Sequence, residues 1–382
     1  MKCIFNKNRL ILALLVMLFH ISTAQIKTID GKSVILKKDM DSFLQEQIQA
    51  LHIPSLSIAF INNGKIVYHR ALGYADLEKK EKADDHTVYE AASISKVVFG
   101  YFVMRMVDRG VLSLDTPLYK YYPYPDIAYD PRYKLFTARM VLDHTTGLPN
   151  WHEFQPPPDS VHVPKGAQYI MFQPGTKWSY SGEAYQYLVR VIAHLLHTDE
   201  VSLCDTACKE INVPLGMKHA SFGWNNYIRD HRATGYVYNA DSAKYQRGQL
   251  KKFEEFSAAG GLRTDAVDYA RFLIGMVNGT GLSPQAHKEM LKPQSVVTDT
   301  GTIRRAGAHW GLGVAIKETP YGIRYWHNGS NGDYTSDFEI FKDSKSGVVM
   351  LCNDDRIFGL WGRVLAYYRE GKRFKFPQTA TK

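Results

Sequence analysis

The chain has 382 residues, 45% of them apolar and 22% charged, with a formal net charge of +9. That length and balance describe an ordinary globular protein of one large or two intermediate domains and exclude intrinsic disorder. The basic excess contains no Lys/Arg cluster interleaved with aromatics, which argues against nucleic acid as a partner and fits anionic surfaces better.

Lys2, Lys7 and Arg9 precede an apolar run at 10–19, and Ser22-Thr23-Ala24 closes it with small residues where a signal peptidase reads. Residues 1–24 therefore read as a signal peptide, and the mature chain, at +6, is expected in the periplasm or outside the cell. The run is about half a bilayer span, so no stable membrane span is expected. Cys204, Cys208 and Cys352 stay on the exported chain. Cys204 and Cys208 either form a local disulfide or remain thiols, since an i, i+4 pair on a helix directs its Cβ atoms poorly for bonding. His194 and His197 lie nearby, but their spacing matches no standard zinc site.

Apolar residues Met40, Phe43, Leu44, Ile48 and Leu51 predict an amphipathic helix over 39–51. Leu56, Ile58 and Phe60 then alternate, Asn62-Asn63-Gly64 supplies a turn, and 65–70 returns as the second strand of a hairpin. The run from Val97 to Val107 predicts a buried helix ended by Gly110, after which Pro and Tyr mark long loops. Helical periodicity resumes at 184–197 and at 265–277, with Thr264 as the N-cap of the latter. Strands are predicted at 310–316, 321–326, 334–341 and 347–353, and a last helix at 355–368. The expected fold class is mixed α/β: an antiparallel sheet flanked by helices and built from both chain ends (38–80 and 305–370), with a mostly helical insertion (81–304).

Three short stretches carry chemistry. Ser93 and Lys96 are three apart, so on a helix their side chains share one face at about 5–6 Å between Cβ atoms. A lysine half buried against Val97, Phe99 and Phe102 loses basicity and can take the serine proton. Chance also produces such pairs, but this is the chain's single Ser-x-x-Lys. Tyr180 lies in Pro174-Gly-Thr-Lys-Trp-Ser-Tyr-Ser-Gly182, at a loop-to-helix junction. There it is either one more wall aromatic or a proton relay whose pKa a neighbouring cation lowers. His327-Asn328-Gly329-Ser330 ends a strand candidate, where the backbone can approach a ligand closely.

Together, Ser93-Ile-Ser-Lys96, Tyr180-Ser-Gly182 and His327-Asn-Gly329 resemble the three signature elements of the serine β-lactamase and penicillin-binding superfamily, in the same order. The nearest branch is that of class C β-lactamases and D-alanyl-D-alanine carboxypeptidases. Leu142-Asp-His-Thr-Thr-Gly-Leu-Pro149 and Ala258-Ala-Gly-Gly-Leu-Arg-Thr264 also look like that family, and the likeness covers roughly 38–370. It implies Ser93 as acylated nucleophile, Lys96 as its base, Tyr180 as relay to the leaving group, and the backbone N–H groups of Ser93 and Ser330 as oxyanion hole. His327 would stand where many members have lysine, as in the carboxypeptidase branch. His144 and Gly147 read as residues that hold the fold.

Two departures bear on substrate binding. Gly182 stands where the family usually has a substrate-binding asparagine, and Asn328 replaces a hydroxyl residue that helps bind a substrate carboxylate. With Gly329, these form the expected substrate-binding set. The resemblance implies an exported serine hydrolase with no metal or cofactor, acting on amide or ester bonds of small acyl substrates such as D-amino-acid peptides of the cell wall or short-chain esters. A class C β-lactamase and a non-hydrolytic penicillin-binding sensor are the alternatives.

Overall fold

The computed structural model describes residues 25–158, 162–250, 252 and 255–374. The signal peptide read at 1–24 lies outside the described residues. The frame is a nine-stranded antiparallel sheet. Along the chain its strands are β1 (Ser55–Asn62), β2 (Lys65–Asp76), β3 (Glu81–Lys82), β4 (Ser295–Val296), β5 (His309–Trp310), β6 (Ala315–Thr319), β7 (Gly322–Ser330), β8 (Thr335–Phe341) and β9 (Gly347–Cys352). In space they run β4-β5-β6-β7-β8-β9-β1-β2-β3, so β9, the last of these strands along the chain, pairs with β1, the first of them, Val349 opposite Ala59. The two chain ends thus build one sheet.

The sheet is covered on both faces, which is why β1 and β9 are buried at nearly every position. In β9, Val348, Met350 and Cys352 point to one core and Val349 and Leu351 to the other. The first core is closed by the helix Lys37–Ala50, which buries Met40, Phe43, Leu44 and Ile48, and by the C-terminal helix Ile357–Glu370. Their rings meet, Phe43 lying 4.8 Å from Tyr367 between centroids. Against the second face lie the helices Ser95–Asp108 and Ala266–Asn278.

Ser95–Asp108 is apolar around its whole circumference and is therefore a central rather than a surface helix. All of its residues from Ser95 to Met104 are buried, Lys96 included. Its neighbours approach very closely: a Cβ on Gly100 would lie 2.8 Å from the carbonyl oxygen of Leu312. That contact accounts for one difference from the expected strands. The run at 310–316 is split by a tight turn, Gly311 N–H donating to the Val314 carbonyl, with Gly313 at φ +93°.

Other boundaries also shift for local reasons. The helix predicted from 265 is capped by Asp265, whose carboxylate accepts from the Val267 and Asp268 N–H groups, because Thr264 is taken up in a short strand paired with Tyr89. The strand predicted at 321–326 continues to Ser330, which carries His327 into the sheet. The middle of the chain adds a hairpin, Tyr236–Asn239 with Lys244–Arg247, and lends β3 and β4 to the two edges of the central sheet.

Candidate active site

Ser93 sits in a single 3-10 turn, Ala92–Ile94, just ahead of the buried helix rather than inside it. Ala92 has φ +48°, a left-handed conformation that costs a residue with a Cβ about 1–3 kcal/mol. Hydrogen bonds from three directions hold it: Ala91 N–H to the Leu262 carbonyl (2.8 Å), Ser336 Oγ–H to the Ala91 carbonyl (2.6 Å) and Leu262 N–H to Ser95 Oγ (3.0 Å). The strained turn thereby presents the Ser93 hydroxyl to a cleft of about 270 Å³.

Lys96 is 1% exposed, and its Nζ lies 3.5 Å from Ser93 Oγ while donating at 2.8 Å to the Ala259 carbonyl. Burial alone brings this ammonium down to about 7, so near neutral pH a large fraction carries a free lone pair. The same Nζ stands 4.7 Å from the centre of the Tyr180 ring. Tyr180 in turn places its hydroxyl 3.5 Å from His327 Nε2.

The tautomer of His327 follows from its other nitrogen. Nδ1 lies 2.6 Å from the Asn328 carbonyl, so it carries the proton and leaves Nε2 as an acceptor toward Tyr180. Burial and the Lys96 charge bring His327 down to about 3, so it is a neutral imidazole. Tyr180 departs from the sequence expectation. Burial raises its pKa, and a hydrogen bond with Ser93 offsets only part of that, so the phenol is a proton donor and not a phenolate. A cation above its ring does not outweigh the loss of water.

His144 positions this tyrosine without entering the cleft. Its carbonyl accepts from Ser179 N–H (2.8 Å) and its Nδ1 from Ser181 N–H (3.1 Å), bracketing Tyr180. Gly147, at φ +82°, passes so near the Phe172 carbonyl that a Cβ would lie 2.7 Å from that oxygen. Both are structural residues, as read from the sequence.

Gly329 lines the cleft, as expected of the substrate-binding set, and also leaves room for the Ser93 turn. A Cβ there would lie 2.6 Å from Ser93 N and 2.7 Å from the Ala91 carbonyl, so β7 is packed directly on the nucleophile turn. That contact brings Ser330 and Ser93 to the same cleft wall. Beyond Ser330, Asn331 Nδ2 donates to Glu90 Oε2 (2.6 Å) and the Gly260 carbonyl (3.3 Å), while Glu90 faces buried Arg263 at 3.6 Å. These three residues fasten the strand end to the turn. Sequence reading missed them, because 241 residues separate Asn331 from Glu90.

A serine on a strained turn, a phenol donor and a neutral imidazole line one cleft, with a buried amine of lowered basicity against the serine and the phenol. Residues 40–359 match the Beta-lactamase family. The chain belongs to that family. The protein flp of Staphylococcus aureus is 24% identical over 329 residues, covering 83% of this chain and 63% of the relative, so the chain spans less than two thirds of that protein's length. The fold is that of the octameric penicillin-binding protein homologue from Pyrococcus abyssi (TM-score 0.70, 22% identity, 83% of this chain and 73% of that one). It is also that of the D-amino acid amidase from Ochrobactrum anthropi (TM-score 0.68, 19% identity, 86% and 96%).

Within this β-lactamase-family cleft, the two departures occupy different places. Asn328 lines the cleft along with Trp178, Trp310 and Trp326. Gly182 does not, which corrects its assignment to substrate binding. A Cβ on it would lie 2.7 Å from the Trp151 ring, whose indole fills the space a side chain at 182 would take, and its N–H donates to Asn150 Oδ1 (3.0 Å). Arg305 and Thr302 complete the wall, unforeseen because the sequence pattern around them carries no motif.

Among the described residues, one His/Asp group has metal-ligand spacing, formed by His219, Asp265 and Asp268. Its carboxylates are already used. Asp268 Oδ2 accepts three backbone N–H groups, and Asp265 caps the helix while binding His219 Nδ1 at 2.7 Å. Cys204, Cys208 and Cys352 are free thiols. Among the described residues no helix is long and apolar enough to cross a membrane.

Proposed function

We propose that this protein is an exported serine hydrolase that works through an acyl-enzyme on Ser93 and cleaves D-aminoacyl amides or peptides and short-chain esters. The observation that carries the reading is the buried Lys96 amine, near 7 and 3.5 Å from Ser93 Oγ. Ser93 Oγ attacks the substrate carbonyl carbon as its proton passes to Lys96 Nζ. The oxyanion is received by the N–H groups of Ser93 and Ser330. Tyr180 gives its hydroxyl proton to the leaving nitrogen or oxygen as the C–N or C–O bond breaks, and Lys96 returns a proton to Tyr180. Water then attacks the ester on Ser93 with the same two groups moving its proton in the opposite sense.

The substrate class rests on the cleft walls. A site that lacks a fixed hydrogen-bond partner discriminates weakly for the group that partner would bind. With Trp151 filling the space beside Gly182, no amide projects from that position toward a penicillin's acylamino side chain. Cell-wall peptides fit the export signal. The amidase whose fold is shared acts, by its name, on D-amino acid amides, which supports the same class of substrate. Comparing kcat/KM for p-nitrophenyl esters, D-alanyl peptides, D-amino acid amides and nitrocefin tests the proposal. Esters or D-aminoacyl compounds are expected to exceed nitrocefin, and nitrocefin turnover near the diffusional range of about 10⁸ M⁻¹s⁻¹ would make the protein a β-lactamase instead.

A further inference from the structure

Behind the catalytic wall, between β6, β7 and β8 and the C-terminal helix, lies a second cavity of about 650 Å³. Arg304, Arg305, Lys317, Arg324 and Arg369 line it, with Trp326, Trp361 and Leu365 as apolar surface. The cationic side chains outnumber the carboxylates that face them. Glu339 is buried and engages Arg369 (Oε1 to Nε, 2.8 Å) and Arg324 (3.6 Å). Asp337 lies in the lining at 1% exposure with Oδ1 unpartnered, and burial together with Glu339 pushes its pKa well up.

An ion-pair network that served only the fold would satisfy its members. Here Arg324, 7% exposed and stacked 5.6 Å from Trp326, leaves Nε without a partner. Arg304 and Arg305 form no ion pair among the described residues, and Lys317 Nζ reaches only the Arg304 carbonyl (2.7 Å). A buried donor left open costs free energy unless a ligand meets it. Guanidinium forks around one cavity match the oxygens of a phosphate, and five cationic side chains against the two carboxylates of Asp337 and Glu339 suit a dianion better than a single carboxylate.

We propose that this cavity is a second binding site, for a phosphate-bearing amphiphile, with the phosphate among Arg304, Lys317 and Arg324 and the apolar body on Trp361 and Leu365. Arg305, Trp326 and Asn328 line both this cavity and the catalytic cleft, so the two sites share a wall. The proposal does not depend on acyl transfer at Ser93.

Calorimetric titration of the full chain with phenyl phosphate, inorganic phosphate and phenol tests it. Phenyl phosphate is expected to bind saturably, at least about 10-fold tighter than either fragment, and to weaken as salt is raised. Arg304→Ala combined with Lys317→Ala is expected to weaken it at least about 10-fold while leaving ester turnover without ligand unchanged. Both positions are outside the catalytic cleft, and Arg304 is exposed, so the variant should fold; its thermal melt checks this. Sedimentation with phosphatidylglycerol vesicles separates the sources. Retention lost in the double variant assigns a lipid headgroup, and no retention with phenyl phosphate binding intact assigns a soluble phosphate ester. Binding that is absent, or equal in the folded double variant, or blocked by covalent labelling of Ser93, would overturn the proposal.

Discussion

His327 accepts from Tyr180 and does not donate to it. With Nδ1–H committed to the Asn328 carbonyl at 2.6 Å, only the Nε2 lone pair is left to face the tyrosine hydroxyl, 3.5 Å away. The imidazole therefore orients a neutral phenol, and in the proposed mechanism the phenol's proton is the one offered to the leaving group.

Removing that proton donor by Tyr180→Phe is expected to lower kcat by about 10²–10⁴. His327→Ala should cost less, because the phenol remains but loses its orientation. The double variant should be no worse than Tyr180→Phe, since the two act as one unit. Additive losses in steady-state kinetics would show that His327 acts independently of Tyr180.

Lys96 is expected to set the pH dependence. In the proposed mechanism acylation needs its neutral form, so kcat/KM is expected to rise with pH through about 7. Stability moves in the same direction. The folded value lies below the ordinary 10.5, so the folded state holds fewer protons between the two values and stability grows as pH rises from about 7 to 10.5. Lys96→Met should abolish activity and raise the melting temperature at pH 6, by up to about 5 kcal/mol of stability, with the gain fading by pH 10. Thermal melts at the two pH values check this; an equal change at both would mean that Lys96 is not titrating in the folded state.

Gly329→Ala tests the packing of β7 on the nucleophile turn. Overpacking of this kind costs about 1–3 kcal/mol. Since the new methyl would press on Ser93 N and the Ala91 carbonyl, turnover should fall far more than stability does. A denaturant titration alongside kcat separates the two effects, and wild-type turnover would show that the turn tolerates displacement.

The space beside Gly182 gives a specificity test. Gly182→Asn alone should disturb packing and give little β-lactam turnover, because the new side chain meets Trp151. Combined with Trp151→Ala, it is expected to raise nitrocefin kcat/KM relative to that for p-nitrophenyl acetate. An unchanged ratio would mean that this position does not govern acyl-side recognition.

The sequence made the candidate reacting groups legible because their signals are local. Ser93 and Lys96 are three residues apart, and the hairpin around Asn63-Gly64 declares itself by alternation and turn chemistry. What stayed hidden depends on depth and on distant neighbours. The direction of the Tyr180 shift is set by burial, which a nearby cation in the sequence does not reveal. Trp151 beside Gly182 and Asn331 on Glu90 are contacts across 31 and 241 residues, and only the fold brings the arginines of the second cavity together. The cap at Asp265 instead of Thr264 was decided by a two-residue strand too short to read from periodicity.

Everything proposed for this cleft rests on the Ser93 hydroxyl as nucleophile. Intact-protein mass spectrometry after exposure to an acylating probe, a phosphonate or a fluorescent penicillin, followed by peptide mapping, measures it directly. One adduct per chain is expected, on Ser93, absent from Ser93→Ala, whose kcat for esters falls by about 10⁴ or more. An adduct on any other residue, or ester turnover by Ser93→Ala at the wild-type rate, would contradict it.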